Sequence, residues 1–457
     1  MKQRVSAGRN IDLTEGPVAR SMWTFALPLI AGNLLQQFYN VADTLIVGRF
    51  LGPGALAAVG SSYTVMTFLT SVILGLCMGS GVLFSMLCGA GDTERMKNSF
   101  VQSFLFIGLV TALVEALSLI FLDPMMGILK IPSDILEETG EYLQVIFMGL
   151  IFTFVYNYFA ALLRALGNSV VPLLFLAVSA LGNIVLDLVF ILKFHMGTAG
   201  AAWATILAQF LAALGIGLYV CVKIPHLLPG KRHFYRDRNI LKTISRYSIL
   251  TCAQQSVMNF GILMVQGLVN SYGVTVMAAF AAAVKIDSFA YMPAQEFGNA
   301  FSIFTSQNYG AGKEERVREG TRASVKTTLL FCAFISALVF LLAPYLMMVF
   351  VDPAETQIIR IGVGYLRIEG ACYVGIGLLF LLYGYYRGVG KPEMSVVLTV
   401  ISLGTRVLLA YTLAPAFGVT MIWWAIPIGW VLADVIGFWY MREKADHKAD
   451  PKAKKLK

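Results

Sequence analysis

An acidic side chain inside an apolar stretch is the first sign of chemistry in this sequence. Asp187 is the one acid in the run ALGNIVLDLVFILKFHMGTAGAAWAT at 180–205. Such a group costs about 2.5–3.5 kcal/mol at the centre of a membrane-spanning helix. Asn183 lies four residues earlier and shares its helix face, and Thr205 follows on the next apolar helix. We therefore expect Asp187 to face a cavity and to have a function.

The first apolar span contains a second acid, Asp43, four residues after Tyr39 on the same predicted helix face. At about 1.5 Å per residue, Asp43 lies ~12 Å from the predicted outer end of its helix, and Asp187 and Thr205 lie ~9 Å from theirs. Two carboxylates, the Asn183 amide and a hydroxyl at one depth suit Na⁺, or a proton held by a carboxylate. Alternatively, these polar groups only hydrogen-bond neighbouring helices.

Other polar residues in the spans are candidates for a substrate cavity. These candidates are Gln37, Asn40, Asn157, Asp287 and Glu296. Lys285, near the last two, either pairs with an acid on a neighbouring helix or leaves those acids free to meet a cationic substrate. We expect Glu369 to pair with Arg367, and we expect Glu115 and Asp434 to be structural.

Composition indicates a membrane protein that crosses the bilayer many times. Of the 457 residues, 58% are hydrophobic and 13% are charged, whereas soluble domains have about 25% charged residues. The apolar residues form twelve blocks long enough to span a bilayer. The blocks lie at about 20–50, 55–86, 98–122, 136–161, 169–193, 199–222, 243–271, 275–305, 322–350, 357–385, 393–415 and 419–441.

The loop charges predict the orientation of these spans. Residues 223–246 contain seven Lys or Arg and one acid, whereas residues 123–141 contain five acids and one lysine. Placing the basic loops inside puts both termini in the cytoplasm. The N-terminal residues are polar and are not expected to form a cleavable signal, so we expect the first span to direct insertion into an inner or plasma membrane.

The sequence repeats at about half its length. GAGDTER at 89–95 matches GAGKEER at 310–316, and LLRALG at 162–167 matches YYRGVG at 385–390. FLDP and FVDP, and two Tyr-Leu pairs that begin at Tyr142 and Tyr365, recur in the same order. We therefore predict two six-helix lobes that run in the same direction. Their ranges are 1–222 (with a cytoplasmic tail), a basic linker at 223–242, 243–441, and a basic tail at 442–457.

The two halves differ at the acids. When the halves are aligned on the LLRALG and YYRGVG motifs, Asp187 corresponds to Ala410 and Asn183 corresponds to Arg406. Whatever the acids do, only the N-terminal half is predicted to do it.

Several functional classes have little support in the sequence. The net charge of +9 is spread over loops and the C-terminus, which fits the positive-inside rule better than nucleic-acid binding. The six cysteines form no CxxC pair and the four histidines do not cluster, so we expect no transition-metal site. The sequence has no P-loop, GxSxG or HExxH motif, so we expect neither an enzyme, an organic cofactor nor an ATP-driven pump. A channel would need a selectivity element, and none is evident.

The sequence resembles the multidrug and toxic compound extrusion (MATE) family, in the branch of the DNA-damage-inducible F proteins. The matching patterns are ALPLIxxNLLQQxYNxxDTxxVGxxLG in the first span, Asn183 and Asp187 in the fifth, and GAAWAT in the sixth. The resemblance implies an all-α protein with twelve transmembrane helices in two pseudo-twofold-related six-helix bundles, arranged in a V.

The resemblance also implies a function. It is an antiporter that exports organic cations or amphipathic compounds in exchange for H⁺ or Na⁺ and works as a monomer in membrane lipid. The implied coupling-ion site is Asp43 and Asp187, completed by Asn183 and Thr205, with supporting hydrogen bonds from Tyr39 and Tyr142. Pro28 would act as a hinge in the first span.

One branch of the family keeps acids in the C-terminal half. This sequence has Gln254 and Gln255 in span seven, and GLLFLLYGYYRG of span ten contains no acid, so we expect the N-terminal site alone to be used. The rival function is a lipid-linked oligosaccharide flippase, which needs several cations in its cavity to bind pyrophosphate. Arg406 and Lys285 keep that alternative open.

Overall fold

The structure is a computed structural model that describes residues 11–128 and 131–449. Regular structure in these residues is helical throughout, with fifteen α-helices. Their bounds are α1 Val18–Phe50, α2 Pro53–Ala90, α3 Thr93–Ile120, α4 Leu122–Ile128, α5 Leu136–Met148, α6 Leu150–Ala165, α7 Val170–Leu188, α8 Gly197–Lys223, α9 Arg238–Asn270, α10 Val274–Gly310, α11 Glu314–Met348, α12 Thr356–Gly370, α13 Tyr373–Gly388, α14 Pro392–Phe417 and α15 Thr420–Ala449.

The described helices include ten that are individually long and apolar enough to cross a membrane. Two further helix pairs are each bent at a short break, by 42° between α5 and α6 and by 51° between α12 and α13. Counting each bent pair as one span gives twelve spans, which is the predicted number.

The two breaks occupy equivalent places in the sequence repeat. α5 ends before Gly149, and α12 and α13 are separated by Ala371 and Cys372. Gly149 and Cys372 correspond when the halves are aligned on their Tyr-Leu pairs. A Cβ atom on Gly149 would lie 2.6 Å from Cγ1 of Ile206, so glycine permits α8 to approach. We predicted both spans as continuous, and the breaks correct that prediction.

The break after α5 explains Glu115, which we predicted to be structural. Its Oε2 accepts a hydrogen bond of 3.1 Å from the backbone N–H of Ile151, in the first turn of α6. A carboxylate at this position satisfies one of the N–H groups that a helix start leaves without an intrahelical partner.

The chain folds as two compact units. The first contains the described residues up to Gln255 together with Ser306–Glu314, and the second contains Ser256–Thr305 and the residues from Glu315 onward. Aromatic rings are central to both cores. In the first unit, the ring centroids of Phe104, Phe154 and Tyr158 lie 5.2–5.6 Å apart. In the second, those of Phe280, Tyr365 and Trp423 lie 5.0–5.4 Å apart.

The repeated GAG motif marks a reciprocal contact inside the first unit. Gly89, at the end of α2, packs directly on the backbone of Gln307, and Gly310, at the end of α10, packs directly on the backbone of Met86. A Cβ atom on either glycine would overlap that backbone. The repeat therefore preserves glycine where two helix ends touch.

Candidate functional site

Three helices of the first unit bring the predicted coupling-site residues together. α1 supplies Tyr39 and Asp43, α7 supplies Asn183 and Asp187, and α8 supplies Thr205. The Tyr39 hydroxyl lies 3.5 Å from Oγ1 of Thr205. The Asn183 amide lies 3.3 Å from the same hydroxyl. One hydroxyl on α8 thus faces polar groups from α1 and α7.

Asn183 joins Asp187 to α8. With its amide nitrogen turned toward Asp187, it donates to Oδ2 over 2.9 Å, and its oxygen accepts from the backbone N–H of Thr205 over 3.1 Å. The opposite orientation would place two oxygen atoms against each other, so this one satisfies both partners. Asp187 is 0% exposed and Asn183 is 1% exposed.

The two acids interact directly. The carboxyl groups of Asp43 and Asp187 are electrostatic neighbours. Two carboxyl groups that are close together repel each other when both are ionised. In both acids Oδ1 is buried and receives no hydrogen bond from an N–H or O–H group of the described residues.

No positive side chain balances this pair. Within the described part of the chain, neither carboxyl has Lys or Arg among its electrostatic partners. Tyr142 of α5 is 3% exposed and interacts electrostatically with both acids and with Tyr39. The pair, with Asp187 buried and Asp43 half-buried, is therefore an acidic site whose other polar groups are hydroxyls and an amide. With both carboxyls ionised, it would need a bound cation.

A π-helical turn follows Asp187 immediately. It covers Val189–Lys193, where the N–H of Phe194 donates to the carbonyl of Val189 over 3.1 Å. His195 then takes a positive φ of 52°, and Gly197 a φ of 60°. Single π turns within helices are rare and occur often at functional sites. The sequence showed a break here but did not reveal its π geometry.

The remaining N-terminal candidates lie on α1 and α6. Gln37 and Asn40 are half-buried on α1, and Asn40 accepts a 3.3 Å hydrogen bond from Gln36. Asn157 of α6 donates to the carbonyl of Thr153 over 2.8 Å. Their place in a substrate cavity stays a prediction.

Pro28 lies within α1, which continues as a single helix through it. It is about 22 Å along the helix axis from Asp43. Proline leaves one carbonyl of the preceding turn without its helical N–H partner. Its role as a hinge stays a prediction.

The second unit contains an acid cluster that sequence reasoning missed. Asp287 of α10 and Glu369 of α12 interact electrostatically with each other, and both are attracted to Arg406 of α14. The Tyr365 hydroxyl donates to Oδ2 of Asp287 over 3.4 Å. Both acids are 3% exposed. The second unit thus has a buried pair of acids that includes its own cation.

This cluster corrects two expectations. Glu369 does not pair with Arg367, whose guanidinium lies 5.4 Å from the ring centroid of Phe340. Residues two apart point to different sides of a helix, so the predicted pair was geometrically unsuited. Span ten also contains an acid, because α12, which carries Glu369, is the first of the two helices that form this bent span.

The other charges of α10 have separate surroundings. Oε1 of Glu296 accepts a 3.3 Å hydrogen bond from Asn299, and Asn299 accepts one of 3.0 Å from Arg387. Arg387 is also attracted to Glu296. Lys285 is exposed and forms no ion pair with a described residue, so the structure does not show the first of its two alternatives, a pair with an acid on a neighbouring helix. Glu296 has a polar network of its own, whereas Asp287 belongs to the buried acid cluster.

Long apolar helices and two bent spans indicate a polytopic membrane protein. The MatE family model matches residues 28–189 and 232–412. The chain therefore belongs to the MATE family of membrane transporters.

Similar proteins cover nearly the whole chain. The probable multidrug resistance protein YpnP of Bacillus subtilis (strain 168) is 31% identical over 397 residues, which are 86% of this chain and 87% of that protein. The multidrug export protein MepA of Staphylococcus aureus (strain NCTC 8325 / PS 47) is 23% identical over 420 residues, which are 91% of both chains.

The fold is also found among solved structures. A MOP superfamily transporter from Pyrococcus furiosus aligns with a TM-score of 0.90 at 24% identity, over 97% of this chain and 100% of that one. That similarity supports the fold alone. The predicted family and the all-α membrane fold are confirmed.

Proposed function

We propose that this protein is a secondary active multidrug efflux antiporter that exchanges organic cations or amphipathic compounds for H⁺ or Na⁺. The observation that carries the proposal is the buried pair of Asp43 and Asp187, which has no Lys or Arg of the described residues beside it. A proton or Na⁺ supplies the positive charge that this pair needs. The name of MepA supports multidrug export, and that of YpnP supports a part in multidrug resistance.

The hydrogen bonds of the site couple the ion to three helices. Asp43 is on α1 and Asp187 on α7, and Asn183 and Tyr39 connect those helices to Thr205 on α8. When the ion leaves, two carboxylates face each other in a buried place, and their repulsion separates α1 from α7. When an ion binds, the pair closes again. Pro28 is the proposed point where α1 bends.

Coupling requires a difference in affinity between two states. An ion can drive export only if it binds one conformation better than the other, and the substrate must prefer the opposite conformation. In this mechanism the outward-open state takes up the ion at the acid pair and releases the substrate. Alternating access of the two lobes then returns the site to the inside.

The flippase alternative lacks support. Pyrophosphate binding needs several available cations, but Arg406 is already attracted to Asp287 and Glu369. Of Arg406 and Lys285, the two cations on which this alternative depended, only Lys285 then remains to bind pyrophosphate. The similar proteins are named as multidrug resistance and export proteins.

We further propose that the protein lies in the inner membrane of a bacterium or archaeon, with both termini cytoplasmic, and that one chain is sufficient for transport. The basic loops support this orientation through the positive-inside rule. The presence of both halves in one chain supports function as a monomer.

Flux in proteoliposomes tests the function. Uptake of a panel of cationic dyes would be measured with an imposed pH gradient and, separately, with an imposed Na⁺ gradient. We expect flux to follow one gradient in the wild type and in the control Asp287→Asn. It should fall at least about tenfold in Asp43→Asn and in Asp187→Asn. Flux in all four proteins that ignores both gradients would exclude antiport, and flux unchanged in the two N-terminal variants would exclude the site.

A further inference from the structure

A segment between α8 and α9 is held against the first turns of α3. Nδ2 of Asn98, which is 0% exposed, donates to the carbonyls of His233 over 2.8 Å and Tyr235 over 2.9 Å. The Gln102 amide, one turn further along α3, reaches the backbone of Asp237 over 3.0 and 3.1 Å. Polar side chains four residues apart on α3 thus fix the course of this segment.

The acids near this segment already have partners. Glu94 accepts a hydrogen bond of 3.0 Å from Nη2 of Arg232 and lies 3.1 Å from Nε2 of His233. Asp237 accepts hydrogen bonds from the backbone N–H groups of Asn239 and Ile240, over 2.8 and 3.2 Å, at the start of α9. Glu94 is thus engaged by Arg232 and His233, and Asp237 caps the start of α9, so neither carboxylate forms an ion pair with the other cations of the segment.

Four cations of the segment are exposed and have no ion pair with any residue in the described ranges. They are Lys231, Arg236, Arg238 and Lys242. Two aromatic residues lie among them, with Phe234 65% exposed and Tyr235 53% exposed. Exposed aromatic rings beside Lys and Arg are typical of the boundary between membrane and water.

The exposed face of α9 shows where that boundary lies. Arg238, Lys242 and Ile249 fall on one face of the helix at these spacings, and all three are exposed. The face stays charged through Arg246, which is also exposed, and becomes apolar at Ile249, a rise of about 5 Å. The segment 231–242 therefore lies where lipid headgroups begin.

We propose that residues 231–242 form a docking surface for the anionic headgroup of a membrane phospholipid. The four cations would surround the phosphate, and Phe234 and Tyr235 would enter the interface between headgroups and acyl chains. The predicted orientation places this surface in the cytoplasmic leaflet, whose anionic lipids attract such basic segments. The proposal does not depend on the coupling ion or on the exported substrate.

Lipid binding by the purified full chain tests the proposal. Protein in an uncharged detergent would be titrated with phosphatidylglycerol and with phosphatidylcholine of the same chain length, and bound lipid counted by native mass spectrometry. We expect a preference for phosphatidylglycerol that Arg236→Gln/Lys242→Gln reduces about tenfold. The control Arg49→Gln/Lys193→Gln removes two charges, at the end of α1 and in the π turn after α7, that are predicted to face the outside. It should keep the preference for phosphatidylglycerol. Equal binding of both lipids, or equal loss in both double variants, would overturn the proposal.

A second variant tests whether the shape of the segment matters. Asn98→Ala keeps every charge but removes the donor that holds the carbonyls of His233 and Tyr235. We expect it to lower the preference for phosphatidylglycerol at least about threefold, because the cations lose their arrangement. An unchanged preference would overturn the docking surface in favour of simple charge attraction. Competition by glycerol phosphate as strong as that by the intact lipid would overturn a lipid as the occupant.

Discussion

The two buried acid pairs differ in one respect that divides their functions. Asp43 and Asp187 in the first unit have an amide and hydroxyl groups around them but no positive side chain of the described residues. Asp287 and Glu369 in the second unit have Arg406. A buried charge is tolerated when it is paired. Arg406 gives the second pair one permanent positive charge, whereas the first pair has none from the described residues and must take its positive charge from solution.

The two acid pairs also differ at equivalent positions of the sequence repeat. Arg406 is the repeat counterpart of Asn183, so the arginine of one half stands where the other half has an amide. Tyr142 and Tyr365, which are also counterparts in the repeat, both lie beside acids. A common framework thus carries an exchangeable site in one half and a fixed ion cluster in the other.

The largest effect is expected from placing an arginine in the first unit at the position that corresponds to Arg406 in the second. We predict that Asn183→Arg abolishes ion-coupled export, at least about tenfold in flux, because a permanent cation beside Asp187 replaces the exchangeable one. The measurement is dye flux in proteoliposomes under each gradient. Asn183→Gln is the matched control and should retain more coupling. Full coupling in Asn183→Arg would refute the role of the missing cation.

The reverse change should destabilise the second unit. We predict that Arg406→Gln lowers stability by about 3–5 kcal/mol, because two buried carboxyl groups lose their counter-ion. Thermal unfolding of the detergent-solubilised protein measures the loss. Adding Glu369→Gln should restore part of it, because fewer negative charges then remain. A stable Arg406→Gln protein that has lost coupling would instead place the cluster in the transport mechanism.

Removing one hydroxyl from each cluster should have the smallest effect. The Tyr39–Thr205 contact is 3.5 Å and the Tyr365–Asp287 contact is 3.4 Å, so each contributes about 1 kcal/mol or less. We predict that Tyr39→Phe lowers coupled flux less than about tenfold, and that Tyr365→Phe leaves coupling unchanged. Flux and unfolding temperature, measured for both variants, separate the two effects. Loss of coupling in Tyr365→Phe would contradict the division of roles.

The location of the N-terminal cluster could be predicted because its signal is local. Isolated polar residues in apolar spans identify Asp43, Asp187 and Thr205, and the constant rise of an α-helix places them at one depth. The structure brings these side chains together. The fold could likewise be predicted from the lengths of the apolar blocks and from the repeat.

The C-terminal cluster could not be found in the same way. Asp287, Glu369 and Arg406 come from three helices, and their meeting depends on how each helix is rotated about its axis. The break between α12 and α13 also places Glu369 differently from a residue of a straight span. The π turn after Asp187 escaped prediction because it depends on hydrogen bonds that no residue pattern specifies.

Binding of the coupling ion at Asp43 and Asp187 can be tested directly by spectroscopy. Infrared difference spectroscopy would follow the C=O stretch of protonated carboxyl groups while pH or Na⁺ concentration is changed. In the wild type and in Asp287→Asn, we predict a C=O signal that disappears when a higher pH removes the proton or when added Na⁺ displaces it. Asp43→Asn and Asp187→Asn should each lack this response. A signal that survives in both N-terminal variants, or one lost in Asp287→Asn alone, would contradict an exchangeable site at Asp43 and Asp187.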